Sequence, residues 1–213
     1  MDKALIPQYL MDYMEGLVPP RAVEMQAMER QAEEQDFPIV GPSCGFLCYQ
    51  VARMIGARRV FELGSGYGYS TAWFARAVAE NGGGEVHHVV WDEQLSAQAR
   101  QHLEVLGYAE MVHFTVGEAV ETLRATPGPF DLIFNDINKE DYPASLPVIG
   151  EKLRPGGVLI VDNLLWHGYI FDKNNHTPAT EGVRRLTELL TRDPAWITSL
   201  VPLRDGLMLA YKQ

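Results

Sequence analysis

The chain has 213 residues, 46% of them hydrophobic and 22% charged, which suits one domain with a substantial core and excludes wholesale disorder. Its 28 acidic and 18 basic side chains leave a net charge of −10, which disfavours nonspecific attachment to nucleic acid or anionic membranes. No apolar run approaches the roughly 18 residues that span a bilayer, no secretory leader is evident, and two cysteines are too few for a disulfide framework, so a cytoplasmic protein is expected.

In chain order, residues 1–42 read as a polar helical segment. Pro19-Pro20 separates a short helix from a longer one over Ala22 to Gln35, and Asp36-Phe37-Pro38 ends it. Met11, Met14, Met25 and Met28 fall here, suited to ordinary packing, a substrate entrance or a subunit interface. Residues 43–213 read as the core. A helix from Ser43 to Ile55 carries Cys44 and Cys48 on one face as buried thiols. Short apolar runs follow at Arg59–Leu63, Val86–Trp91, Val112–Val116, Phe130–Asn135 and Gly157–Val161, with helical segments between them such as Ser70 to Ala79 and Leu95 to Leu106. After a helix over Ala179 to Thr191, the runs Trp196–Pro202 and Leu207–Tyr211 flank Leu203-Arg204-Asp205-Gly206, whose Asp-Gly pair signals a hairpin. The expected fold is α/β and Rossmann-like: one domain, a mostly parallel seven-stranded sheet ending in an antiparallel hairpin, helices on both faces. Ligands bind such sheets at the carboxyl ends of the strands, where strand order reverses.

The first strand end, Phe61-Glu62-Leu63-Gly64-Ser65-Gly66-Tyr67-Gly68-Tyr69-Ser70, is a glycine turn feeding a helix. The dinucleotide fingerprint wants its third glycine where Tyr69 stands, and Glu62 would repel a pyrophosphate, which disfavours a nicotinamide dehydrogenase. An acid there suits the ammonium of an amino-acid-bearing nucleotide. This stretch resembles the first motif of the class I S-adenosylmethionine methyltransferases, and within them the cation-dependent O-methyltransferases of catechol and caffeoyl-CoA type. The resemblance runs from about Val40 to the C-terminus. It implies S-adenosylmethionine as cofactor, held by Glu62, Gly64, Gly66, Ser70 and Asp136, with Val40 against it and Glu118 and Ala119 bordering the adenine. The family's ribose-holding acid falls on Val90, so either Asp92 reaches back or the ribose is held differently. Trp91 either covers the adenine or packs as a core aromatic.

The fourth strand ends in Asn135-Asp136-Ile137-Asn138-Lys139, and the fifth in Val161-Asp162-Asn163. Neighbouring parallel strand ends would bring Asp136, Asp162 and Asn163 to one point, a hard oxygen set suited to Mg²⁺, Ca²⁺ or Mn²⁺. The six histidines lack ligand spacing, and His87-His88 sits in a strand, so no zinc site is expected. The resemblance places the family's metal ligands on the same three residues and its general base on Lys139. It implies a small vicinal-diol acceptor, a catechol or related hydroxylated aromatic, and a homodimer. Trp166 either faces the acceptor or packs, while Trp166–Tyr169 and Asp172–Pro178 form an expected wall and lid. His167 and His176 read as solvated loop residues. Two other readings stand beside this one: a methyltransferase for hydroxylated tRNA uridine, against which the acidity speaks, and a non-catalytic cofactor-binding protein.

Overall fold

The computed structural model describes residues 5–213. Three helices come first: α1 (Gln8–Gly16), α2 (Val23–Gln35) and α3 (Gly41–Met54). Asp36 ends α2 in the left-handed region, at φ 49°. The alternating part then runs β1 (Arg59–Leu63), α4 (Tyr69–Glu80), β2 (Glu85–Val90), α5 (Glu93–Val105), β3 (Val112–Val116), α6 (Ala119–Ala125) and β4 (Phe130–Asn135). It continues with α7 (Tyr142–Lys152), β5 (Leu153–Val161), α8 (Pro178–Arg192), β6 (Trp196–Val201) and β7 (Leu207–Lys212).

One seven-stranded sheet results, in the order β3-β2-β1-β4-β5-β7-β6. The first five positions are parallel, and β7 lies antiparallel to both β5 and β6. Strand order reverses between β1 and β4, which fixes where a ligand crevice opens. β5 starts earlier than its apolar run announces. Arg154 donates to Asp131 Oδ1 at 2.6 Å, and a register irregularity between Phe130 and Leu132 accommodates the added residues.

Burial follows the period-2 alternation of strands. Val60, Leu132, Phe134 and Ile160 turn to the layer built with α2, α3 and α4. Phe61, Ile133, Leu159 and Val161 turn to the layer built with α6, α7 and α8. The two thiols are free and buried, as read from the sequence. Helix α3 lies so close to α4 that a Cβ on Gly45 would come within 2.2 Å of Trp73 Nε1. Two buried cores therefore clamp the strands and hold their carboxyl ends in register.

Candidate active site

A cavity of about 1100 Å³ opens over those carboxyl ends, large enough for a cofactor and a small acceptor together. Its floor is the loop after β1. Gly64 sits at φ 85°, and a Cβ there would lie 2.5 Å from the carbonyl oxygen of Asp136, so only glycine lets β1 and β4 tips approach this closely. Ser65 exchanges hydrogen bonds with Val89, its N–H donating to the carbonyl and its Oγ accepting from the Val89 N–H, both at 3.0 Å. Tyr67 donates to the Met28 carbonyl at 2.9 Å, and Tyr69 to Glu29 Oε1 at 2.7 Å. These two tyrosines fasten α2 onto the loop. Val40, Gly64, Gly66 and Ser70 all line the cavity, where the sequence reading put them.

Glu62 does not. Expected to face an ammonium group, it is fully buried behind the loop and off the cavity wall. It occupies the α4 face of β1, where neither carboxylate oxygen finds a well-aligned partner. Burial pushes its carboxyl up to about 7, although Thr71 and Ser70 nearby favour the charged form.

At the β2 and β3 ends, Trp91 lies beyond the strand, 66% exposed, and lines the cavity; it is not a core aromatic. Asp92 is corrected. Its Oδ1 accepts from the N–H groups of Gln94 and Leu95 as the N-cap of α5, and the residue is absent from the cavity lining. Glu118 and Ala119 do line the cavity, with the Glu118 carboxylate capping α6 through the N–H groups of Val120 and Glu121.

On the opposite wall, Asn135 of β4 pairs with Val161 of β5, so Asp136 and Asp162 leave the sheet side by side. Asp136, Asp162, Asn163 and Lys139 all line the cavity there. Lys139 Nζ donates to Asp136 Oδ1 at 2.7 Å and to the Ile137 carbonyl at 3.1 Å, and lies 5.1 Å from the Tyr142 ring centroid. Burial raises the Asp136 carboxyl from its ordinary value despite the Lys139 charge. Burial, then the charge of Asp136, lifts Asp162 to about 7. Two destabilised carboxylates converging beside an amide fit a hard divalent cation, which would relieve both. Asn163 is held at φ 60°, and Trp166, His167 and Arg204 nearby also have positive φ. Such strain persists where surrounding structure over-determines it, as around a site.

Two residues of the hairpin turn belong to the site and were read from the sequence only as turn residues. Asp205 accepts from Asn163 Nδ2 at 3.3 Å and from the His167 N–H at 2.6 Å. Holding the amide nitrogen turns Asn163 Oδ1 away from Asp205, as an atom that could ligate a cation. Arg204 donates to the Ile39 carbonyl, tying the Val40 segment to the same turn. Both side chains line the cavity. The signal was an acid within a glycine turn, which local turn chemistry already explained.

The outer wall comprises Trp166, His167 and Tyr169, with Leu5, Ile6 and Met11 from the N-terminal segment. Met25 and Met28 are core instead. The expected lid Asp172–Pro178 is corrected as well. None of it lines the cavity, and Arg184 holds the carbonyls of Asp172 and Asn175 at 2.6 and 2.7 Å. The histidines are brought together where linear spacing gave no sign of it. Glu85, His87 and His113 cluster on β2 and β3, away from the cavity, because strand register joins residues whose linear spacing shows nothing.

Comparison with known proteins follows the same lines. A family model described as O-methyltransferase matches residues 24–213. A catechol O-methyltransferase of Niastella koreensis is 32% identical over 180 residues, covering 80% of each chain. Among solved structures, the O-methyltransferase TomG of Streptomyces achromogenes, in complex with S-adenosylmethionine, aligns with a TM-score of 0.86 and 29% identity over 96% of both chains. An O-methyltransferase of Bacillus cereus in complex with S-adenosylhomocysteine aligns with a TM-score of 0.87 and 26% identity, over 96% of this chain and 97% of that one.

Proposed function

The chain belongs to the O-methyltransferase family and is an S-adenosylmethionine-dependent enzyme; from that premise we propose that it methylates one hydroxyl of a small vicinal-diol aromatic with the help of a divalent cation. The observation that carries the reading is the convergence of Asp136, Asp162 and Asn163 with Lys139 on the cavity wall facing the glycine loop. S-adenosylmethionine, when bound, supplies an electrophilic methyl on a sulfonium that is a ready leaving group. A divalent cation held by Asp136, Asp162 and Asn163 would lower the pKa of a chelating hydroxyl from the phenolic value of about 10.

The protein's residues do the rest. Gly64, Gly66 and Ser70 cradle the methionine end, Trp91 and Ala119 flank the adenine end, and Val40 closes over it. Asp205 orients the Asn163 amide. Lys139 Nζ, paired with Asp136 at 2.7 Å, would take the proton from the attacked hydroxyl as the neutral amine, once a cation on the Asp136 carboxylate has replaced this ion pair and the ammonium has given its proton to water. Trp166, Tyr169 and the apolar side chains of Leu5, Ile6 and Met11 exclude water and orient the ring. The similarity to the catechol O-methyltransferase of Niastella koreensis supports a catechol-like acceptor. The proposal includes a homodimer, for which α1 and its C-cap offer Tyr9, Tyr13 and Leu17, each at least 65% exposed. No described helix is long and apolar enough to cross a membrane.

The test is methyl transfer to a catechol with and without EDTA, reading S-adenosylhomocysteine release. Activity abolished by the chelator and restored by Mg²⁺ is expected, with Lys139→Ala slower by about 10²–10⁴-fold. Undiminished turnover in EDTA contradicts the cation's role, and full rate in Lys139→Ala contradicts the base.

A further inference from the structure

Among the described residues, one group of histidine and carboxylate side chains lies close enough to hold a metal without belonging to the cavity. Glu85 and His87, two apart on β2, share a face of the sheet, and His113 of β3 stands opposite His87 in the parallel register. One ligand atom from each of the three lies within 4.8 Å of the others. The two imidazoles stack with centroids 4.7 Å apart at 27°. Both turn Nε2 toward the same carboxylate: His87 lies 3.4 Å from Oε1 and His113 3.2 Å from Oε2.

We propose that Glu85, His87 and His113 form a second metal site, specific for an imidazole-seeking divalent ion such as Zn²⁺ and separate from the oxygen-lined active site. Three observations carry this. His87 Nε2 is sealed from solvent and has no well-aligned hydrogen bond, its carboxylate neighbour Glu85 Oε1 standing at 3.4 Å. His113 is 56% exposed and leaves a path by which an ion and its water ligands enter. Glu85 is already oriented: Arg59 Nε donates to its Oε1 at 2.7 Å, and its Oε2 faces His113 Nε2 at 3.2 Å, the pair between which an ion would enter. The other two guanidinium nitrogens are held by the Pro127 and Pro129 carbonyls, and the group lies over the Phe130 ring. A carboxylate held by a second residue while it ligates is the ordinary outer-shell arrangement of metal sites. Ligand atoms around tetrahedral zinc sit roughly 3.4 Å apart, so side-chain rotations of about an ångström close the site.

Burial lowers the His87 pKa from its ordinary value, which favours the neutral imidazole a metal requires. The softness of the donors separates the two sites: two nitrogens and one oxygen here, oxygens alone at Asp136 and Asp162. Glu85 opens β2, at the end opposite the cavity, so the ion would clasp the edge strand β3 to β2 rather than take part in methyl transfer.

The experiment titrates Zn²⁺ into tag-free full-length protein held in excess Mg²⁺, following the histidine ring nitrogens by NMR and thermal unfolding in parallel. Zinc-dependent shifts of the His87 and His113 nitrogens are expected, together with a rise in melting temperature. Both should weaken at least tenfold in His113→Ala, an exposed position, and in Glu85→Gln. Imidazole signals of the parent protein that ignore zinc would overturn the proposal, as would a His113→Ala variant that binds zinc as tightly as the parent.

Discussion

Glu62→Gln removes a charge from a position that water does not reach. The carboxyl is fully buried behind the glycine loop and lacks aligned partners for either oxygen. Burial lifts its pKa from 4.5 to about 7, a gap worth on the order of 3 kcal/mol. A carboxyl that keeps its proton in the folded chain up to about pH 7, while the unfolded chain loses it near the ordinary carboxylate value, favours folding in acid and opposes it once ionised. Its contribution to stability therefore declines as pH rises between those two values and is constant above them. Glutamine has the same shape and no such titration. In ligand-free protein, urea unfolding at a series of pH values should show the variant gaining on the parent across that window, by up to about 3 kcal/mol. Parallel stability curves for the two proteins at every pH would refute the assignment of a strained, buried carboxyl beneath the loop.

Asp205→Asn should weaken Mg²⁺ affinity about 10–100-fold, because the Asn163 amide loses the charged acceptor that fixes its orientation; calorimetry on the protein with bound S-adenosylhomocysteine checks it, and unchanged affinity removes Asp205 from the site. Gly182→Ala places a Cβ 2.1 Å from the Lys139 carbonyl oxygen. It should cost about 1–3 kcal/mol in thermal stability and lower kcat by displacing the Lys139 turn, whereas wild-type kcat and melting temperature would show that α8 does not brace that turn.

The sheet was legible because its parallel strands are buried on both faces and stand out as apolar runs, such as Phe130–Phe134 and Val158–Val161. The candidate metal residues were legible for a related reason: polar side chains that end such runs gather at one edge. What stayed hidden depends on depth and register. Nothing in the order Glu62-Leu63-Gly64 says that the acid lies on the α4 face, behind the loop rather than over it. Asp92 follows Trp91 by one position, yet the helix start takes its carboxylate and the indole takes the cavity. Asp205 was explained by its turn, so its hydrogen bonds to Asn163 and His167, 42 and 38 residues away in the chain, had no local trace. His87 and His113 meet only through strand pairing. The segment Asp172–Pro178, which follows the expected wall Trp166–Tyr169, was read as a lid, and Arg184, further along the chain, is what pins it.

Anomalous diffraction from crystals grown with Mn²⁺ and S-adenosylhomocysteine tests the account where it is most exposed. A manganese peak bounded by the oxygens of Asp136, Asp162 and Asn163 is expected, with Lys139 on its Asp136 side. A well-ordered cavity with bound S-adenosylhomocysteine and no peak between those side chains would contradict cation-assisted methyl transfer at this site.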